Sequence, residues 1–155
     1  MIPPWTPSAA VVLLGALATC WDMRLRVVPN RLNLAGVVVG LALGAARGGV
    51  HGVLWAGLGM ALGVAAFAGP WLAGGLGGGD LKLAAAIGAI VAWPLALPTL
   101  LLAAVAMALW SLGWAAWMRL TGTIRDTAAL RALRVPQAPA IAAGAAVATV
   151  LALVR

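Results

Sequence analysis

Apolar stretches of roughly 20 residues, the length that crosses a bilayer as a helix, recur along the whole chain. Six can be read: about Pro7 to Trp21, Leu32 to Ala46, Gly52 to Trp71, Leu81 to Leu97, Pro98 to Met118, and Ala138 to Val154. The pattern predicts an all-α, polytopic membrane protein with six transmembrane helices, forming one integral-membrane domain over residues 1–155. The second and fourth spans are short against a hydrocarbon core of ~30 Å. There, flanking residues must snorkel or the bilayer must thin. Pro94 is expected to kink or end the fourth helix, because its ring clashes with the preceding turn. Gly36, Gly40 and Gly44 make two GxxxG steps on the second span, and Gly59 and Gly63 make another on the third. Internal helix contacts are the expected use of these small residues, ahead of a dimerisation face.

Composition narrows the class further. Of 155 residues, 65% are hydrophobic and 8% charged, with 10 Lys and Arg against 3 acids. Mean hydropathy is +1.09. An ordinary globular domain has roughly 25% charged residues, so a soluble enzyme, a disordered tail and a disulfide-stapled module are all excluded. The net charge of +7 does not form a dense basic run interleaved with aromatics. No nucleic-acid partner is therefore expected. The bases lie at span ends and set orientation instead. Arg24, Arg26, Arg31, Lys82, Arg119, Arg125, Arg131 and Arg134 fall after spans one, three and five, against Arg47 and Arg155 on the other side. That asymmetry predicts three cytoplasmic loops and both termini outside. The cytoplasmic arginines are also expected to touch anionic lipid. Trp21, Trp71, Trp93 and Trp117 suit an interfacial belt. Leu17 to Cys20 loosely resembles a lipoprotein cleavage box. However, Met1 to Pro7 has no Lys or Arg, so the segment reads as a retained first span. As a lone cysteine, Cys20 excludes an internal disulfide and a CxxC-type zinc site.

Only three acids exist: Asp22, Asp80 and Asp126. Asp22 ends the first span. Asp80 follows the cluster Gly74-Gly75-Leu76-Gly77-Gly78-Gly79 and precedes the fourth span. A carboxylate kept at the edge of hydrocarbon is a functional candidate. Each also has a plainer reading. Asp22 and Arg26 have the spacing of a helix-surface ion pair, and Asp80 stands where an N-cap belongs. Taken together, two carboxylates on one cytoplasmic rim can share a proton and activate water, the logic of an aspartyl protease. The glycine cluster lacks the Gly-Lys-Ser/Thr of a phosphate-binding loop. Asp126, between arginines, reads as a solvated loop charge. His51 lies on the outer side without a second histidine, so neither a metal nor a cofactor is expected.

These residues carry a resemblance. Asp22, followed after six residues by Pro29-Asn30, resembles the first aspartate motif of the type IV prepilin peptidases. Gly77-Gly78-Gly79-Asp80 with Leu81-Lys82 resembles their second, the GxGD motif shared with other membrane aspartyl proteases. Pro136-Gln137-Ala138-Pro139 and Gly144 are similar to the P-x-x-P-x4-G that opens the family's last helix. The resemblance implies an aspartic endopeptidase of the inner (plasma) membrane with its active site facing the cytoplasm. Its substrates would be prepilins or pseudopilins with a short basic leader and a hydrophobic helix. Carried over, Asp22 and Asp80 are the catalytic pair. Pro29 and Asn30 would shape the first loop, Gly77 and Gly79 would let the second loop approach the first aspartate, and Lys82 matches the motif without an assigned role, stabilising the Asp80 carboxylate being one reading. The cytoplasmic domain with paired CxxC motifs, which N-methylates the trimmed pilin in many relatives, has no counterpart. The chain resembles the short, peptidase-only branch that serves Flp-type (tight-adherence) pili, with the archaeal preflagellin peptidases a second short branch of similar build.

Helix polarity suggests a division of labour within the pair. Asp22 at a helix C-terminus is expected to hold a proton, and Asp80 at a helix N-terminus to be the ionised base. Two other classes remain open at this stage. One is a small transporter with the aspartates as proton or cation sites, which belong near the midplane. The other is a non-catalytic membrane subunit of a secretion or pilus apparatus. The sequence leaves oligomeric state undetermined.

Overall fold

In lipid the backbone polar groups of a segment must be satisfied internally, and a helix does this residue by residue. The chain follows that constraint. The structure, a computed structural model, describes residues 3–122 and 135–154, and these form helices and turns with no strand among them. Helix α1 spans Thr6–Leu25 and stops where Arg26 turns left-handed (φ 53°), its amide donating to the Asp22 carbonyl. Pro29, extended at ψ 136°, caps α2, which covers Asn30–Leu72. Helices α3 (Gly78–Val91), α4 (Ala96–Leu120) and α5 (Ala138–Val154) follow.

The 43 residues of α2 are not one rod. Gly48 (φ −151°, ψ 22°) and Gly49 (φ 55°, ψ −132°) leave the helical conformation, and the second of these lies where a side chain is strained. The chain doubles back there. A Cβ on Gly44 would stand 2.5 Å from the Gly52 carbonyl oxygen, so the two arms touch backbone to backbone just beside the bend. The second and third apolar stretches are thus the two arms of a helical hairpin. The helices α1, α2 and α4 are long and apolar enough to cross a membrane, whereas α3 and α5 are shorter, at 14 and 17 residues.

One boundary differs from expectation. The fourth stretch does not run as a helix to Leu97. It ends at Val91, Ala92 turns to φ 62°, and a cis Trp93–Pro94 bond precedes α4, which starts at Ala96 rather than Pro98. The break comes before Pro94. The Trp93 amide donates to the Trp55 carbonyl at 3.1 Å and so anchors the turn to the second arm of α2.

Short α3 is the centre of the bundle. Every residue from Leu83 to Ala92 is buried. Both arms of α2 reach it through glycines. A Cβ on Gly40 would lie 2.6 Å from the Ala89 carbonyl carbon, Gly59 meets Gly88, and Gly63 meets the Ala84 carbonyl. Helix α1 packs on α5 at Gly15 and Ala142, and α5 on α4 at Gly144 and Ala103. Many large apolar side chains on the other faces point outward, with Leu13, Leu34, Leu54, Leu101 and Leu109 all more than half exposed. Small residues make the close backbone contacts between helices, as expected of helices packed within lipid, and Phe67, Leu83, Ile87 and Ile90 fill the space beside them.

Gly63→Val should therefore displace α3, because the new side chain meets backbone rather than a movable side chain. The expected loss is about 1–3 kcal/mol, read as a lower unfolding temperature in detergent. Gly113→Ala on α4, where nothing lies within 4 Å of the new Cβ, should be neutral or stabilising by up to about 1 kcal/mol.

Candidate active site

Asp22 and Asp80 reach the same end of the bundle from different helices. Asp22 occupies the last turn of α1 and is 5% exposed; Asp80 occupies the first turn of α3 and is 8% exposed. Gly77, not Asp80, is the N-cap of α3. From the third helical position, the Asp80 carboxyl reaches back to the Gly77 backbone amide, as the acid of a capping box does. A Cβ on Gly77 would stand 3.0 Å from Asp80 Oδ2, so glycine leaves that path open. Asp22 is held by a third helix. Its Oδ2 accepts the backbone amide of Ala138, the first residue of α5, at 3.0 Å.

For Asp80 the electrostatics run against the ionised state expected of it. Asp80 stands just ahead of the apolar span that begins at Leu81. Its carboxyl is pushed up to about 7, first by burial and then by the charge of Asp22, against the pull of the Gly77 amide. The helix N-terminus was expected to keep Asp80 ionised. Desolvation and a like charge outweigh it. The charge of Asp22 thus acts on Asp80 from the neighbouring helix.

The glycines and the first loop fit together. A Cβ on Gly79 would stand 3.0 Å from the Val28 carbonyl oxygen and 3.2 Å from Val28 Cβ, so the two loops meet at this glycine. The Pro29 carbonyl accepts from the amides of Leu32 and Asn33 and so opens α2. Lys82 Nζ donates to Asn30 Oδ1 at 2.8 Å. That bond ties the second motif to the first. Asn33 Nδ2 donates to the Gly79 carbonyl at 2.9 Å from a position 2% exposed. Sequence reasoning missed Asn33. The available signal was a polar residue inside an apolar stretch, one helical turn beyond Asn30.

The segment before α5 is anchored as firmly. Trp110 Nε1 donates to the Pro136 carbonyl at 2.9 Å, and the buried Gln137 amide exchanges hydrogen bonds with the Ser111 hydroxyl. Ser111 and Trp110 were not singled out in the sequence. Cys20 is exposed. His51 lines a cleft with Arg47, Trp55 and Trp93 around the α2 bend, away from the aspartates. Asp126, Arg125, Arg131, Arg134 and Arg155 lie outside the described residues. Among the described residues, no group of three or more His, Cys, Asp or Glu could hold a metal.

The family model of the type IV leader peptidase family matches residues 9–112. The chain belongs to that family, a leader-peptidase-like protease built on apolar helices that mark it as a membrane protein. The match includes both aspartates and stops before Pro136. No curated protein and no solved structure matches the chain.

The Asn30–Lys82 bond is exposed, so its effect should be modest. A double-mutant cycle of Asn30→Ala and Lys82→Met, read by thermal unfolding, should give a coupling of about 0.5–1.5 kcal/mol. No coupling would mean that the bond does not hold the loops together.

Proposed function

We propose that the protein is an aspartic endopeptidase that removes the leader of type IV prepilins or pseudopilins, with Asp22 and Asp80 as its catalytic pair. The observation that carries this reading is two buried carboxyls, brought from α1 and α3 to one end of the bundle, with the charge of one raising the other. A pair sharing one proton suits hydrolysis. Asp22 acts as the base and takes a proton from water. The water oxygen then bonds to the scissile carbonyl carbon, while Asp80 gives its proton to the carbonyl oxygen. Collapse of that intermediate breaks the C–N bond: the proton held by Asp22 leaves with the new amine, and one hydroxyl of the intermediate returns its proton to Asp80, which restores the pair as the carboxylic acid forms. The apparent pKa values belong to the pair.

The six-span reading puts eight of the ten bases on one side, and that asymmetry supports a cytoplasmic face for the site. A substrate with a basic leader and a hydrophobic helix would then lie in the membrane with its cleavage point at that rim. Flp-like prepilins are the proposed substrate, through the resemblance to the peptidase-only branch. Both acids lie at one end of the bundle, whereas a transporter site belongs near the midplane.

Co-expression with a Flp-type prepilin should yield a leader-sized mass shift. Asp22→Asn and Asp80→Asn should each lower cleavage by about 10²–10⁴-fold while leaving the protein in the membrane. Full cleavage in either variant would end the aspartic reading. With Asp80 as the acid, it must be protonated, so kcat/KM should be maintained below pH 7 on this limb and decline as pH rises through about 7.

A further inference from the structure

Two buried side-chain oxygens have no hydrogen-bond partner among the described residues: Asn33 Oδ1 and Asp80 Oδ1. The other atom of the Asn33 amide, Nδ2, donates to the carbonyl of Gly79, the residue before Asp80. Leaving one such oxygen dry and unpaired costs on the order of 1–3 kcal/mol. Two acceptors cannot satisfy each other, since neither brings a hydrogen. A hydrogen placed between them satisfies both.

We infer that Asn33 is a positioning residue for the acid of the pair: its Oδ1 accepts the proton carried on Asp80 Oδ1, directly or through one buried water. The Nδ2 bond to Gly79 fixes which way the amide faces, so the oxygen is the atom left over. The amide lies on the arm of α2 that follows the first loop, so α2 reaches the acid that α3 carries. Asn33 thereby selects which of the two carboxyls keeps the shared proton. Asp22 on α1 is the charged group that acts on Asp80. The Lys82 ammonium is turned to Asn30, and Arg24, Arg26, Arg31 and Arg119 at this end are exposed. From α5, what the pair receives is the neutral amide of Ala138.

This inference rests on the peptidase reading for its kinetic test and is independent of it for its spectroscopic one. Asn33→Leu keeps the volume and removes the acceptor, which destabilises protonated Asp80. The alkaline limb of kcat/KM should then move down by roughly half to one pH unit, the size of one hydrogen bond. In the infrared spectrum of the purified protein, the protonated-carboxyl band that Asp80→Asn abolishes should move to higher frequency in Asn33→Leu, as a weaker hydrogen bond requires. A purely structural role would lower the rate at every pH and leave limb and band in place. That result overturns the proposal. Should the leucine variant not fold, Asn33→Ala removes the same oxygen and is read by the same two signals, with the same outcome overturning it. If the wild-type protein cleaves no prepilin, the peptidase reading fails, and the band alone still decides whether Asn33 holds the proton.

Discussion

Within lipid an apolar side chain gains little by turning inward, since the surroundings are as apolar as the core. Helices must then cohere through close contact, and close contact needs backbones without bulk between them. This protein meets that constraint at α3. Gly40, Gly59 and Gly63 on the two arms of α2 bring backbone against Ala89, Gly88 and Ala84. Fourteen residues of α3 are thereby held from two sides by one hairpin. Everything at the candidate site is measured from that post, because Asp80 stands on its first turn.

A fixed post makes a buried acid tenable. A mobile loop carrying Asp80 would turn its carboxyl to water and lose the raised affinity for a proton. Instead, Val28 closes over Gly79, Asn33 holds the Gly79 carbonyl, and Lys82 pins Asn30 from the outside. Asp22 is placed by different means, through the α5 amide, and α5 is in turn fixed to α4 by the Gln137–Ser111 and Trp110–Pro136 bonds. All five helices therefore contribute to where the two carboxyls stand. Backbone amides and carbonyls at helix ends are the polar groups available there, and they do the positioning.

What could be read from the residues follows the same physics. Asp22 and Asp80 were legible because charge is so scarce that each acid near hydrocarbon must be accounted for, and because both sit in motifs. The apolar stretches marked the helices, although the exact break before α4 was hidden: Pro94 drew attention to itself, while the turn begins at Ala92. The bend at Gly48–Gly49 agreed with the boundary between the second and third stretches. Asn33 and Ser111 were not legible, since one neutral polar side chain in an apolar helix has no pattern and its partner lies 46 or 26 positions away. The Ala138 amide had no signal at all, being a backbone atom common to every residue except proline.

The error over the proton has a physical origin. Helix polarity is a local property that can be read from position, and at an exposed terminus it is worth about 0.3–1 kcal/mol. Burial and a neighbouring carboxylate are tertiary properties, and together they shift buried acids by several pH units in other proteins. A position-based argument therefore weighs the smaller effect and cannot see the larger ones. Once Asp80 is placed 8% exposed beside Asp22, the terminal amide has to compete with both, and it loses. The carboxyl nearest the helix N-terminus then becomes the one that keeps its proton. Asp22, on the last turn of α1, keeps the α5 backbone amide of Ala138 as its partner.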